Sequence, residues 1–161
     1  MLFENARMNL ERLEKRLMKD EGYSRVAYLD TVGVWTIGFG STRLFGQPVK
    51  EDDSVTEDVA RIQLRADIYG AIIDAAQIFP RFNELDDVRQ EVLINMSYNL
   101  GSHKLTQFKN LRSAVDALEF RRAAEEMVDS KWFTQVGGRG QRLVAAMKTG
   151  QWAISEDKVT I

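Results

Sequence analysis

The chain has 161 residues, no cysteine, and 22 lysines and arginines against 24 aspartates and glutamates. That length suits one domain, or two small lobes sharing a core, and allows burial of roughly 68–70% of the unfolded surface. The missing cysteine excludes disulfides, thiolate metal sites and cysteine nucleophiles, and a net charge of −2 supplies no general attraction to nucleic acid or to an anionic membrane. Residues 1–80 carry 10 basic and 13 acidic groups and residues 81–161 carry 12 and 11, so charge is not segregated along the chain.

The N-terminal stretch "MLFENARMNLERLEKRLMKDEG" has a charge every few residues, and no segment resembles a signal peptide or the ~18 apolar residues of a membrane span. The expectation is a protein made soluble in the cytoplasm, which works outside the cell only if another component lets it out.

In chain order, Phe3, Ala6, Leu10, Leu13 and Leu17 recur at helical spacing and predict an amphipathic first helix that Gly22 ends in a left-handed cap. From Ala27 to Phe39, "VAYLD" and "VWTIGFG" are short β-branched and aromatic runs around Thr31–Gly33, which predict a small hairpin. Thr56 reads as an N-cap, with Glu57 and Asp58 suiting the positive helix end, and Val59, Ile62, Ala66, Ile72 and Ile73 carry helical spacing to Ile78 before Pro80 stops it. A helix over 57–78 would be a rod of roughly 33 Å, long enough to join two lobes.

Beyond it, "ELDDVRQEVLINMSYNLG" places Val88, Val92, Leu93, Met96 and Leu100 on a buried stripe ended by Gly101, the expected central helix of a second, all-helical lobe. Shorter helices are predicted over 108–118, 120–128 and about 138–148, the last closed by Gly150, with a frayed polar tail "SEDKVTI". The predicted class is α+β and mostly helical: a single domain with a hairpin lobe over about 20–56, a connecting helix over 57–78, and a larger helical lobe from 1–19 and 79–161.

Several chemistries fall away. His103 is the only histidine, in the loop "GSHKL", so an H-E-x-x-H zinc site cannot form, and neither a metal nor a cofactor is expected. The glycines of "GVWTIGFG" fit no phosphate-binding or dinucleotide fingerprint. Lys104, Lys109, Arg112, Arg121 and Arg122 are interleaved with acids, which leaves nucleic-acid binding without its electrostatic footprint.

Carboxylates remain. Glu21 stands at a helix C-terminus, where the terminal carbonyls disfavour negative charge, and a carboxyl kept in its acid form is what general-acid catalysis needs. Asp30 ends the first strand, where a hairpin can bring it back opposite Glu21; two carboxyl groups in different settings suit glycoside hydrolysis. Thr36 offers a hydroxyl that can hold a water. An acid beside a cap glycine, an aspartate before a turn and a threonine in a strand are also ordinary structural choices, so composition and spacing leave both readings open.

The stretch "EGYSRVAYLDTVGVWTIGFG" resembles the Glu-x8-Asp-x5-Thr signature of the phage-type lysozymes, glycoside hydrolase family 24. The likeness covers nearly the whole chain, since "LINMSYNLG", "SKWF" and "KTGQW" look like family segments of the helical lobe in the right order. The resemblance implies an active-site cleft between the two lobes. It also implies inverting hydrolysis of the β-1,4 bond between N-acetylmuramic acid and N-acetylglucosamine in peptidoglycan.

By match to that signature, Glu21 would be the general acid, Asp30 would orient the attacking water or stabilise positive charge on the sugar, and Thr36 would help place the water. Arg139 matches a family arginine that reaches towards the catalytic glutamate, a cation that would counter the helix-end effect, and Gly40, Thr42 and Tyr98 fall where the family lines its cleft. The sequence departs from the pattern at Ser41, where a histidine is usual, at Thr42, usually apolar, and at Leu111 and Glu126, which replace polar residues of outer subsites. The chain also begins earlier than the family pattern, which would lengthen the first helix, and it lacks the strong positive charge that attracts a lysozyme to the anionic wall.

Three roles fit. The first is a monomeric endolysin made in the host cytoplasm and released to the cell wall through a separate membrane-pore protein. The second is a lysozyme of the same chemistry carried on a virion or larger assembly, and the third a peptidoglycan-binding module without hydrolysis, against which Glu21, Asp30 and Thr36 together argue.

Overall fold

A computed structural model describes residues 8–153, which form two compact units: one of residues 10–70, the other of residues 71–153 with Met8 and Asn9. The first unit opens with α1 (Leu10–Glu21), whose Leu13 and Leu17 are fully buried, whereas Leu10, expected on the same stripe, is exposed at the helix start. Gly22 ends it with a φ of 68° and an N–H donated to the Met18 carbonyl at 3.0 Å. The predicted start of this helix is corrected at its described edge: Met8 and Asn9 are outside it, and the Asn9 N–H is bound by the Glu91 carboxylate at 2.8 Å. Phe3 and Ala6, and the tail from Ser155, lie outside the described residues.

The hairpin forms as expected from β1 (Ser24–Leu29) and β2 (Trp35–Gly38), antiparallel, with Tyr28 opposite Thr36, Leu29 opposite Trp35, and a bulge between Ser24 and Tyr28. A second, smaller hairpin pairs β3 (Arg43–Leu44) with β4 (Gln47–Pro48) across Phe45 and Gly46. Both turn residues have positive φ, 49° and 81°, the requirement of a two-residue turn with the twist of its strands. A phenylalanine there is no recognisable turn signal, so the sequence pattern does not announce this hairpin.

Helix α2 (Glu57–Ile78) has the bounds its pattern predicts. Thr56 caps it, its hydroxyl accepting the Val59 N–H at 3.3 Å, and the helix runs on past Gly70 into the second unit. Within the first unit Ile37, Phe39, Val49, Val55, Ala60, Leu64 and Ile68 form the buried core. Gly38 lets the strand approach α2, since a Cβ there would stand 3.0 Å from that of Ala60.

In the second unit a short 3-10 turn (Phe82–Glu84) leads to α3 (Asp87–Leu100), capped by Asp86, whose carboxylate accepts the Arg89 N–H at 3.1 Å. The expected buried stripe is instead burial nearly all round: Gln90, Glu91, Asn95 and Ser97 are buried with the apolar residues, whereas Leu100 is only half-buried. Partners offset much of this, though the Ser97 hydroxyl and the Gln90 carboxamide oxygen are buried without one. Gln90 donates to the Phe82 carbonyl at 2.9 Å, and Glu91 accepts from both Asn9 N–H and the Trp152 indole, the latter at 2.9 Å.

Five helices follow, α4 (Ser102–Thr106), α5 (Lys109–Asp116), α6 (Phe120–Val128), α7 (Lys131–Val136) and α8 (Gly138–Thr149). Two of them correct the sequence reading. His103 lies in the short helix α4 rather than in a loop, though exposed, and "SKWF" opens α7, where the Ser130 hydroxyl accepts the Phe133 N–H at 3.2 Å. Among the described residues no helix is long and apolar enough to cross a membrane.

Candidate active site

Glu21, Asp30, Thr36 and Gly40 all belong to the first unit. Glu21 is the last residue of α1, half-buried, and its side chain lies over Gly40: a Cβ on that glycine would fall 2.8 Å from Oε2 and 3.1 Å from Cδ. Gly40, at a φ of 81°, sits in a loop closed by reciprocal bonds, Ile37 N–H to the Ser41 carbonyl and Ser41 N–H to the Ile37 carbonyl, each 2.9 Å. The strand-to-loop turn is thus a seat for the carboxyl at the helix end.

Asp30 follows β1 and organises the hairpin turn. Its Oδ1 accepts the N–H of Val32 at 2.9 Å and of Val34 at 2.8 Å, while its own N–H donates to the Val34 carbonyl at 3.0 Å. The aspartate-before-a-turn reading is therefore correct in itself, but it occupies Oδ1 and not Oδ2. Thr36 is buried in β2 and its hydroxyl donates to the Val34 carbonyl at 3.0 Å. With its proton used there, the Thr36 oxygen can only accept from a water.

Tyr28 is the residue the sequence reading passed over. It faces Thr36 across the strands, so both side chains leave the same face of the hairpin, and it stands two residues before Asp30 in a period-2 element. Burial pushes its phenol above the ordinary 10.0, and the nearby carboxylates of Glu21 and Asp30 push it further. Strand alternation back from Asp30 would have found it.

Ser41, the residue after Gly40, donates its hydroxyl to Asp67 on α2 at 2.6 Å. Gln63 donates to the other oxygen of Asp67 at 2.9 Å and accepts the Phe45 N–H at 3.1 Å, joining the loop after Gly40, the β3–β4 turn and α2 in one network. Burial raises the Asp67 carboxyl above its ordinary 3.8, against the opposing effect of hydrogen bonds from Ser41 and Gln63. Thr42 is exposed and its carbonyl accepts the Val49 N–H at 3.0 Å.

The remaining expected site residues lie in the second unit. Tyr98, on α3, is half-buried, and Arg139, in the first turn of α8, donates from Nε to the Asn95 carboxamide at 2.9 Å. Glu126 is half-buried on α6, whereas Leu111 is a core residue of α5, so its apolar character answers to packing within that unit.

Residues 18–148 match the family described as phage lysozyme. The chain belongs to the phage lysozyme family. Its relatives include the probable T4-type lysozymes 1 and 2 of Dictyostelium discoideum, 26% and 24% identical over 160 residues, each alignment covering 86% of this chain and 94% of the relative. The pre-baseplate central spike protein Gp5 of Enterobacteria phage T4 is 26% identical over the same share of this chain, which spans only 28% of that larger protein. As a phage lysozyme the chain is a glycoside hydrolase, a lysozyme of the muramidase type, and its family acts on peptidoglycan. The mostly helical α+β architecture agrees with that membership.

Proposed function

We propose that this lysozyme cleaves the β-1,4 bond between N-acetylmuramic acid and N-acetylglucosamine with inversion, using Glu21, Asp30 and Thr36. The polarity of the hydrogen bonds around Asp30 and Thr36 carries the reading. Asp30 Oδ1 is held by two amides, which orient the carboxylate, and Thr36 has given its proton to the Val34 carbonyl. Both groups therefore present acceptors, so a water between them donates a proton to Asp30 Oδ2 and the other to Thr36 Oγ1, and turns a lone pair to the anomeric carbon.

In the reaction Glu21 gives its proton to the glycosidic oxygen as the C–O bond breaks. The water oxygen bonds to the anomeric carbon from the opposite face, and Asp30 takes its proton. Exchange with solvent then restores Glu21 as acid and Asp30 as base. Two carboxyl groups acting through an interposed water give inversion, which in this mechanism needs a separation of about 6.5–9.5 Å. Gly40 keeps room for the Glu21 carboxyl, and Thr42, Tyr98 and Arg139 are proposed to meet the polysaccharide.

The role we favour is that of an endolysin, a monomer that accumulates inside the host and reaches the wall through a separate pore protein. Similarity to the Gp5 spike protein favours a second reading, a lysozyme carried on a phage assembly. Release of soluble muropeptides from purified peptidoglycan, with mass spectrometry of the ends and NMR of the newborn anomer, tests the chemistry. Hydrated reducing ends of inverted configuration are expected from the wild type, and at least ~10²-fold less from Glu21→Gln. Anhydro ends, retained configuration or an active Glu21→Gln would overturn the assignment. Immunoblotting of purified virions separates the two roles.

A further inference from the structure

Resting on the reading of Glu21 and Asp30 as the working carboxyls, we propose that Tyr28 is a substrate-contacting residue, its phenolic O–H donating a hydrogen bond to an oxygen of the sugar at the cleavage point. The placement comes from the hairpin. Tyr28 is the direct cross-strand partner of Thr36, and residues so paired carry their side chains on one face with Cβ atoms about 4.5–5.5 Å apart. Asp30 follows two residues on, just past the end of β1, with its N–H bonded across the hairpin to Val34, the residue before β2.

The chemistry of the set calls for such a group. Thr36 and Asp30 present acceptors to that face, and Glu21 offers a single proton, which the leaving oxygen consumes. A saccharide is dense in oxygen acceptors, and the phenol of Tyr28, 39% of whose residue surface is open, supplies a donor beside them. Burial keeps that donor in its protonated form, and the negative charge of Asp30, joined by that of Glu21 once it has given up its proton, adds to the effect. Tyr23, just before the start of the same strand, is different: its hydroxyl is committed to the Val55 carbonyl at 2.8 Å and its ring packs on Phe39 with centroids 5.5 Å apart. One tyrosine of the hairpin is a structural strut, and the other faces the chemistry.

The test is Tyr28→Phe, which keeps the ring, together with 13Cζ-tyrosine NMR on the otherwise unaltered chain. Hydrolysis of peptidoglycan oligosaccharides is expected to lose about tenfold in kcat/KM, the size of one net hydrogen bond, at unchanged thermal stability. Saturating a Glu21→Gln protein with a muropeptide tetrasaccharide should shift the Tyr28 resonance, and titration should show its ionisation falling back towards 10.0 in both Glu21→Gln and Asp30→Asn. Unchanged kcat/KM in Tyr28→Phe, or a Tyr28 resonance unmoved by saturating saccharide, would overturn the proposal. A wild type that binds the saccharide and does not cleave it would sink the hydrolytic reading instead, while the NMR shift would still report on Tyr28.

Discussion

Gly40→Ala isolates the seat of the Glu21 carboxyl, the proposed general acid. The new methyl group would stand 2.8 Å from Glu21 Oε2, 3.1 Å from Cδ and 3.4 Å from Cγ, so the side chain must move. The substitution also imposes a left-handed conformation, φ 81°, on an L-residue, at a cost of about 1–2 kcal/mol. Gly46→Ala supplies the control, because Gly46 has the same φ of 81° and nothing within 4 Å of the added Cβ. The backbone cost is therefore shared, and only Gly40→Ala displaces Glu21. Misplacing a reacting group by about 1 Å can cost on the order of 10²-fold in rate. Both variants should lose similar stability in urea titrations, whereas muropeptide release should fall by roughly 10²-fold in Gly40→Ala alone. Equal activities in the two variants would refute the idea that Gly40 positions Glu21.

Thr36→Val removes the acceptor for the water while keeping the shape of a buried side chain, and should lower kcat about tenfold or more with a smaller change in KM; Thr36→Ser should retain most activity. Wild-type kcat in Thr36→Val would remove the water-holding role. For Asp67 the folded-state value lies above the ordinary 3.8, so the native protein holds that proton more tightly than the unfolded chain, and stability is lost as pH rises from 3.8 through the raised value. The Tm of Asp67→Asn relative to wild type should accordingly improve between pH 3 and pH 7, and a pH-independent difference would contradict this. Glu91→Ala leaves the Asn9 amide and the Trp152 indole without their shared acceptor and should cost about 2–4 kcal/mol in urea unfolding. A loss below about 0.5 kcal/mol would mean that water replaces the carboxylate without penalty.

Much of the fold was legible because its signals are local. Gly22 and Thr56 are helix caps recognisable from their immediate neighbours, Pro80 can stop α2 whatever surrounds it, and alternation around Thr31–Gly33 predicts a hairpin from nearest-neighbour geometry alone. The short helices α4 and α7 escaped because single turns carry too few residues to display a period. The Glu-x8-Asp-x5-Thr spacing likewise identified the family and its candidate catalytic groups.

Tertiary structure decided what spacing cannot express. The burial of Glu91 and Asn95 depends on partners 61 and 44 residues away, Trp152 and Arg139, so α3 could not be read as a helix enclosed nearly all round. Ser41 reads as a lost histidine until Asp67, 26 positions on, is seen to accept its hydroxyl. Leu111 reads as an altered sugar contact until it is found in the core. Sequence alone named Glu21, Asp30 and Thr36, whose types and intervals survive as a one-dimensional pattern. Which oxygen of Asp30 is occupied, where the Thr36 proton goes, and that Tyr28 shares their face are matters of direction, and side-chain direction exists only once strands have paired and helices have packed.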